Sequence, residues 1–272
     1  MAGKLEYFDT HCHLAEPALA ADLAASLQRA RAAGLAHALV CSTHPAQYPA
    51  VCALCARERL SAALGAFDLA GDFARTPEAT LAEIEAALDR GPLPAALGEV
   101  GIDRRHLEAG LGRAAEIVFE GVVAMAVQHD LPLSVHGRGA LPLAAAVLRR
   151  QPARSALRGV IHAFNGSLEQ ARIFLALGFK LGFGTVLLNP AARRIAAVLR
   201  ALGPDDYVLE TDAPFMPSAA ARSRSPARTE PADIALVAQA AAAIRGEPLE
   251  KTACDAAKNA ARLFLHPSAA SP

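Results

Sequence analysis

The chain has 272 residues, 27 basic and 27 acidic side chains, and a mean hydropathy of +0.24. A chain that is 53% hydrophobic and 20% charged can build a sizeable core, which excludes a disordered protein, and its zero net charge excludes polyanion binding through bulk charge. No run of about 18 apolar residues and no basic-then-apolar leader is present, and the five scattered cysteines (Cys12, Cys41, Cys52, Cys55, Cys254) suit a reducing compartment, so a cytoplasmic protein with no membrane contact is expected.

Short β-type runs alternate with alanine-rich amphipathic stretches along the whole chain. The predicted strands are Leu5–Thr10, His37–Ser42, Ala62–Phe67, Ala95–Glu99, Pro132–His136, Gly159–Ala163, Phe179–Gly184 and Tyr207–Thr211. The predicted helices between and after them are Ala15–Ala33, Ala46–Arg59, Pro77–Arg90, Leu111–Asp130, Leu141–Gln151, Ser167–Leu177, Pro190–Leu202 and Pro231–Arg245. Gly34, Gly91 and Gly178 fall just past helix ends, and Ser167 followed by Glu169 and Gln170 reads as a helix start. Cys52-Ala-Leu-Cys55 lies in a helical pattern with no second cysteine or histidine pair nearby, so it is expected to pack rather than bind metal.

Eight strand–helix units predict one α/β domain over residues 1–272, a (β/α)8 TIM-type barrel. An open doubly wound sheet would carry a Gly-rich loop after its first strand, where this chain has His-Cys-His. A ninth helix, Glu247–Phe264, is expected to pack across the barrel, followed by a frayed tail from Pro267. Pro214–Pro226, rich in Ser, Ala, Arg and Pro, reads as a loop over the barrel mouth.

In such a barrel the functional side chains sit at the C-terminal ends of strands. Those ends carry His11 and His13, Glu99, His136, His162 and Asp212. His11 and His13 are two residues apart on an extended segment and share a face. Six nitrogen and oxygen donors are too many for one tetrahedral zinc and suit two ions sharing a carboxylate. Of the remaining histidines, His37 and His129 read as structural, His266 as tail, and His44 and His106 as rim-loop residues within reach of the pocket.

The ordered segments FDTHCHL (8–14), GEVGID (98–103), LPLSVHGRGA (131–140), IHAFNGSLEQA (161–171), LETDAPFMP (209–217), RTEPADI (228–234) and NAARLF (259–264) resemble the TatD family of metal-dependent deoxyribonucleases, within the amidohydrolase-like barrels. The resemblance implies one divalent ion (Mg, Mn or Zn) held by His11, His13, Glu99 and Asp212. It implies a second held by Glu99, His136 and His162, with Glu99 bridging. Glu99 and Asp212 would be the catalytic carboxylates, Asp212 as general base. Glu210, two residues before Asp212, would orient a ligand or bind metal itself. The implied activity is an exonuclease-type phosphodiesterase on single-stranded DNA ends, with no obligate protein partner.

The chain has 23 arginines and four lysines, and the planar guanidinium suits phosphate. Arg104, Arg105, Arg138, Arg222, Arg224 and Arg228 lie on predicted rim loops. Arg138, two residues after His136, is the leading substrate-binding candidate, joined by Arg104; Asn165 would contact substrate or cap the next helix. Two departures from the family pattern bear on substrate. Gly65-Ala66-Phe67-Asp68 stands where many members have Gly-x-His-Pro, and Arg104-Arg105-His106 replaces a tyrosine-rich turn. With 5% aromatics and no tryptophan, base-stacking platforms are scarce. The alternative is therefore a metal-dependent hydrolase of another ester or amide, such as an aminoacyl-tRNA ester or a lactone. A non-catalytic binding barrel is the third reading.

Overall fold

A computed structural model describes residues 5–67, 76–224 and 226–265. Eight short apolar segments form parallel strands: β1 (Tyr7–Cys12), β2 (Leu35–Cys41), β3 (Ser61–Ala66), β4 (Ala96–Gly101), β5 (Leu133–His136), β6 (Gly159–Ile161), β7 (Phe179–Phe183) and β8 (Tyr207–Leu209). They hydrogen-bond in sequence order, each to the next. A parallel neighbour needs a crossover, and the helices supply it. In chain order these are α1 (Pro17–Ala20), α2 (Leu23–Ala32), α3 (Tyr48–Glu58), α4 (Pro77–Arg90), α5 (Arg104–Glu108), α6 (Gly112–Gln128), α7 (Leu141–Arg150), α8 (Leu168–Ala176), α9 (Arg193–Ala201), α10 (Ala219–Arg222), α11 (Ile234–Arg245) and α12 (Leu249–Phe264). The eight predicted strands are all found. No helix among the described residues is long and apolar enough to cross a membrane.

Seven strand pairs share backbone ladders; β8 and β1 close the barrel mainly through side chains. The buried Asp9 carboxylate accepts from Thr211 N (2.9 Å), Thr211 Oγ1 (2.5 Å) and His11 N (3.3 Å). Thr10 Oγ1 donates to the Leu209 carbonyl at 3.1 Å, and Asp212 N to the His11 carbonyl at 2.9 Å. Burial pushes the Asp9 carboxyl up to about 7 against the hydrogen bonds from Thr211 and His11. The opposite end is filled by α12. Its Ala260, Leu263 and Phe264 pack against Phe8, Leu39, Ala63, Ala96, Val160 and Val208 from six strands. Asn259 Nδ2 fixes the helix to the carbonyls of Pro204 and Tyr207.

The differences from expectation lie in the connections. The predicted Ala15–Ala33 helix is broken at Asp22, whose carboxylate is taken by Arg228 and Arg29. The Arg104–Glu108 turn is a short helix, capped by Asp103. Within Pro214–Pro226 lies α10, started by Ser218. His266 and the tail from Pro267 lie outside the described residues.

Gly101 ends β4 with φ of 135°, where a Cβ would stand 2.1 Å from the His136 carbonyl. Gly101→Ala combines a nearly glycine-only conformation with overpacking, and is expected to cost about 3 kcal/mol. A urea midpoint equal to that of the wild type would contradict this account of the β4–β5 approach.

Candidate metal centre

Strand ends bring the six predicted donors together. His11 lies in β1 and His13 one residue past it; Glu99 is in β4, His136 ends β5, His162 follows β6 and Asp212 follows β8. All are buried except Asp212, which keeps part of its surface open. Glu99 is the centre of the group. Its Oε2 lies 3.8 Å from His11 Nε2 and 3.4 Å from His13 Nε2; its Oε1 lies 2.6 Å from His136 Nδ1 and 3.5 Å from His162 Nε2. His13 Nε2 is also 3.4 Å from Asp212 Oδ1. Three donor sets converge tightly enough for an ion: His11–His13–Glu99, Glu99–His136–His162, and His11–His162–Asp212. The first and second of these sets share Glu99 and match the donors that the resemblance implies for its two ions, and the third shows His162 also facing the Asp212 side.

Each imidazole is held by its other nitrogen. His11 Nδ1 lies 2.8 Å from Ser134 Oγ, His13 Nδ1 3.1 Å from the Cys41 carbonyl, His136 Nε2 2.7 Å from Asp103 Oδ2, and His162 Nδ1 3.1 Å from Glu210 Oε1. Such partners fix tautomer and ring orientation, leaving one nitrogen of each ring aimed inward. Glu210 therefore sits behind His162, where it also accepts from Ala163 N at 2.6 Å, and its buried Oε2 has no hydrogen-bond partner. Asp103 and Ser134 went unnoticed in the sequence. Asp103 had a signal, four residues after Glu99 in GEVGID; Ser134 had only its place two residues before His136.

The electrostatics follow from ionisable groups packed against one another with little solvent exposure. Burial would raise the Glu99 carboxyl, but hydrogen bonds with His11, His13 and His136 outweigh it and hold it well below the usual range. Burial works against a charged His13, yet Asp212 and Glu99 lift it to about 10. His162 is raised well above its ordinary value, with Glu210 overcoming its burial, while His11 is lowered by burial and by the neighbouring His162. Two inward-facing carboxylates, Glu99 and Asp212, surrounded by imidazole nitrogens offer the mixed oxygen and nitrogen donors that a divalent cation takes, so the donor set fits the implied ions. The backbone bends sharply here too: Ala163 and Asp212 have φ of 45° and 57°, left-handed values that non-glycine residues hold chiefly at functional sites.

A cavity of about 940 Å³ opens over the donors. Arg138 and Asn165 line it, as expected, and so do His44 and Arg105. Arg104 does not: it is exposed and paired with Glu108 at 3.2 Å, because α5 turns it away from the mouth. Arg224 and Arg228 are also committed elsewhere. Arg224 grips Asp233 through both terminal nitrogens (2.8 and 2.5 Å), and the buried Arg228 donates to Asp22 and to the Ala18 carbonyl. Arg222 is exposed and outside the cavity lining. Ser167 and Gln170 form the capping box of α8, which leaves the Asn165 side chain on the cavity wall. Phe67 lies against the His136 ring, centroids 4.2 Å apart; Asp68 lies outside the described residues. Behind Phe67 is the buried His106, whose Nδ1 accepts from Asp103 N at 3.1 Å.

Asp103→Asn keeps the shape but removes the charge behind His136. Affinity for Mn or Zn is expected to fall about 10- to 100-fold, read by titration calorimetry. An unchanged affinity would mean that Asp103 does not tune this ring. His106 gives a pH signature. Burial holds it down at about 4, against 6.5 when unfolded. Between those values the unfolded chain binds a proton that the folded chain refuses, so this group removes stability as pH falls from 6.5 towards 4. Its ring proton resonances should stay fixed from pH 7 to 5; movement near pH 6.5 would contradict its placement.

The TatD related DNase family model matches residues 8–265. The chain is 34% identical over 263 residues to the uncharacterized metal-dependent hydrolase YjjV of Escherichia coli strain K12, covering 96% of this chain and 98% of that protein. It is 30% identical over 266 residues to a protein of Pantoea vagans named 3′-5′ ssDNA/RNA exonuclease TatD, covering 94% and 98%. The crystal structure of YjjV superposes with a TM-score of 0.83 at 31% identity, over 96% of this chain and 98% of that one. A family match that runs from the first strand to the last helix, over a barrel whose strand ends converge on one donor cluster, places the chain in the TatD family of metal-dependent hydrolases.

Proposed function

We propose that the chain is a dinuclear metal-dependent phosphodiesterase that trims single-stranded nucleic acid from its 3′ end. The observation that carries this reading is the position of Glu99, whose two oxygens each face a different pair of imidazole nitrogens, the arrangement of a bridging carboxylate. His11, His13 and Asp212 would hold one ion and His136 and His162 the other. When bound, the ions supply Lewis acidity to the phosphodiester and acidify water. The chain's own groups do the rest. Asp212, kept ionised by His13 and His162 despite its burial, accepts the proton of the attacking water. Arg138, with its side chain half exposed and lining the cavity, steadies a phosphate oxygen of the strand. The water oxygen bonds to phosphorus as its proton passes to Asp212, the P–O3′ bond breaks, and the proton held by Asp212 goes to the leaving oxygen, giving a 3′-hydroxyl on the shortened strand and a released nucleoside 5′-monophosphate. The name printed for the Pantoea vagans relative supports the strand and the polarity.

A second reading, hydrolysis of a small ester or amide, is favoured by one observation: Phe67 covers His136 where many members carry a histidine.

The test is a time course on 5′- and 3′-labelled single-stranded DNA with Mg and Mn. Laddering from the 3′ end is expected, lost on chelation and reduced by roughly a thousandfold in Glu99→Ala, or ~4 kcal/mol of transition-state stabilisation. Robust cleavage by Glu99→Ala would refute the assignment; inert metal-loaded wild type that turns over an ester panel would favour the second reading.

A further inference from the structure

Six large apolar side chains are exposed among the described residues: Leu93, Leu107, Phe215, Met216, Leu236 and Leu265. Only the consecutive pair Phe215 and Met216 lines the cavity over the donor cluster. Phe215 is 44% exposed and Met216 47%, so core packing does not account for them. The segment that carries them is nonetheless held tightly. His13 N donates to the Ala213 carbonyl (2.7 Å), Phe215 N to the Asp212 carbonyl (2.7 Å), Thr229 N to the Pro214 carbonyl (3.1 Å) and Thr185 Oγ1 to the Met216 carbonyl (2.6 Å). Asp212 and Met216 both take left-handed backbone angles, φ 57° and 51°. Two such residues within five double the chain back and set the Phe215 ring over His13, centroids 5.3 Å apart at 65°. That contact covers at most one face of the ring.

Rigidly presented aromatic surface beside an ionic centre is what a planar ligand ring needs, because the platform loses little entropy when the ligand arrives. Arg105 and Arg138 line the same cavity from the β4 and β5 loops, and more than half or about half of each side chain is open to solvent. An apolar ring face and two guanidinium groups around one centre match a substrate with a planar base and a second anionic linkage. Each guanidinium also stands near the Asp103 carboxylate (Arg105 Nε at 3.7 Å, Arg138 Nε at 3.8 Å), and its solvent-open part would gain nothing from an apolar acyl group.

We propose that Phe215, backed by Met216, is the stacking platform for the base of the 3′-terminal nucleotide, while Arg138 and Arg105 receive the next phosphate of the strand. This rests on the nuclease reading above. Stacking on a side chain is tolerant of base identity, since every base has a π face, so the platform selects for the presence of a terminal base and not for its sequence.

The test compares wild type, Phe215→Ala and Phe215→Trp on oligonucleotides with a normal or an abasic 3′-terminal residue. On the normal strand Phe215→Ala is expected to lose about tenfold in kcat/KM through KM, with Phe215→Trp restoring it. On the abasic strand the three proteins should be equal. A second readout is independent of turnover. A strand with 2-aminopurine at its 3′ end, joined by a non-hydrolysable phosphonate linkage, should be quenched on binding Mg-loaded wild type and Phe215→Trp but not Phe215→Ala. Equal KM and equal quenching in Phe215→Ala would overturn the platform while leaving the nuclease reading intact. A wild type that neither cleaves nor binds the strands would overturn both.

Discussion

A carboxylate buried at the mouth of a barrel is the interaction on which the rest of this structure depends. Glu99 has lost its water and must be compensated by positive charge or donors, since an unpaired buried charge costs several kcal/mol. Four imidazoles answer it, but an imidazole aimed inward has a second nitrogen that also needs a partner. Hence Ser134, the Cys41 carbonyl, Asp103 and Glu210 stand behind the four rings. Their requirements spread outward in turn. Asp103 starts α5 and Glu210 takes the Ala163 amide. Ser134 can approach His11 only because residue 98 is glycine, where a Cβ would stand 2.6 Å from Ser134 Cβ. One desolvated carboxylate thus fixes side chains on five of the eight strands or the residues just beyond them, and a backbone carbonyl of a sixth.

The aromatic and arginine residues divide by what surrounds them, not by type. Arg224 and Arg228 secure the connection between β8 and α11 to Asp233 and to Asp22 at the end of α1, so a segment whose composition suggests a loose loop is bound at several points. Arg29 adds a bidentate pair with Glu230 at the same junction. These charges act as mortar for the mouth. Arg105 and Arg138, one element away, line the cavity with looser pairs to Asp103, at 3.7 and 3.8 Å, and keep about half or more of each side chain open. Phenylalanine shows the same division: Phe164, Phe174 and Phe183 are core, whereas Phe215 faces the opening.

The strands and the candidate donor cluster were legible in the sequence because each depends on local pattern. Short β-type runs between alanine-rich helical stretches marked eight strands, and a parallel barrel places all eight strand ends at one rim, so His11, His13, Glu99, His136, His162 and Asp212 could be gathered without knowing a distance. Pairings across the barrel could not be read. Ser134 meets His11 over 123 residues and Asp103 meets His136 over 33, and both contacts exist only once closure and stagger are set. The same reason misplaced the arginines. A guanidinium on a loop takes the nearest carboxylate in space, and nothing near Arg228 in sequence points to Asp22. Composition also gives no placement: Phe215 is held at the cavity between two left-handed residues, Asp212 and Met216, that an aromatic count does not reveal.

The seam between β8 and β1 carries a consequence for how the protein is made. The candidate donors on either side of it, His11 and Asp212, are about 200 residues apart, so the first is synthesised well before the second. At ordinary elongation rates some 10–40 s separate their emergence from the ribosome. Throughout that interval the nascent barrel lacks the strand that Asp9 must bind, and the half-built donor cluster has no eighth wall. The growing polypeptide therefore carries most of the donor cluster with one side open, and the cluster is completed only when the eighth strand docks beside the first.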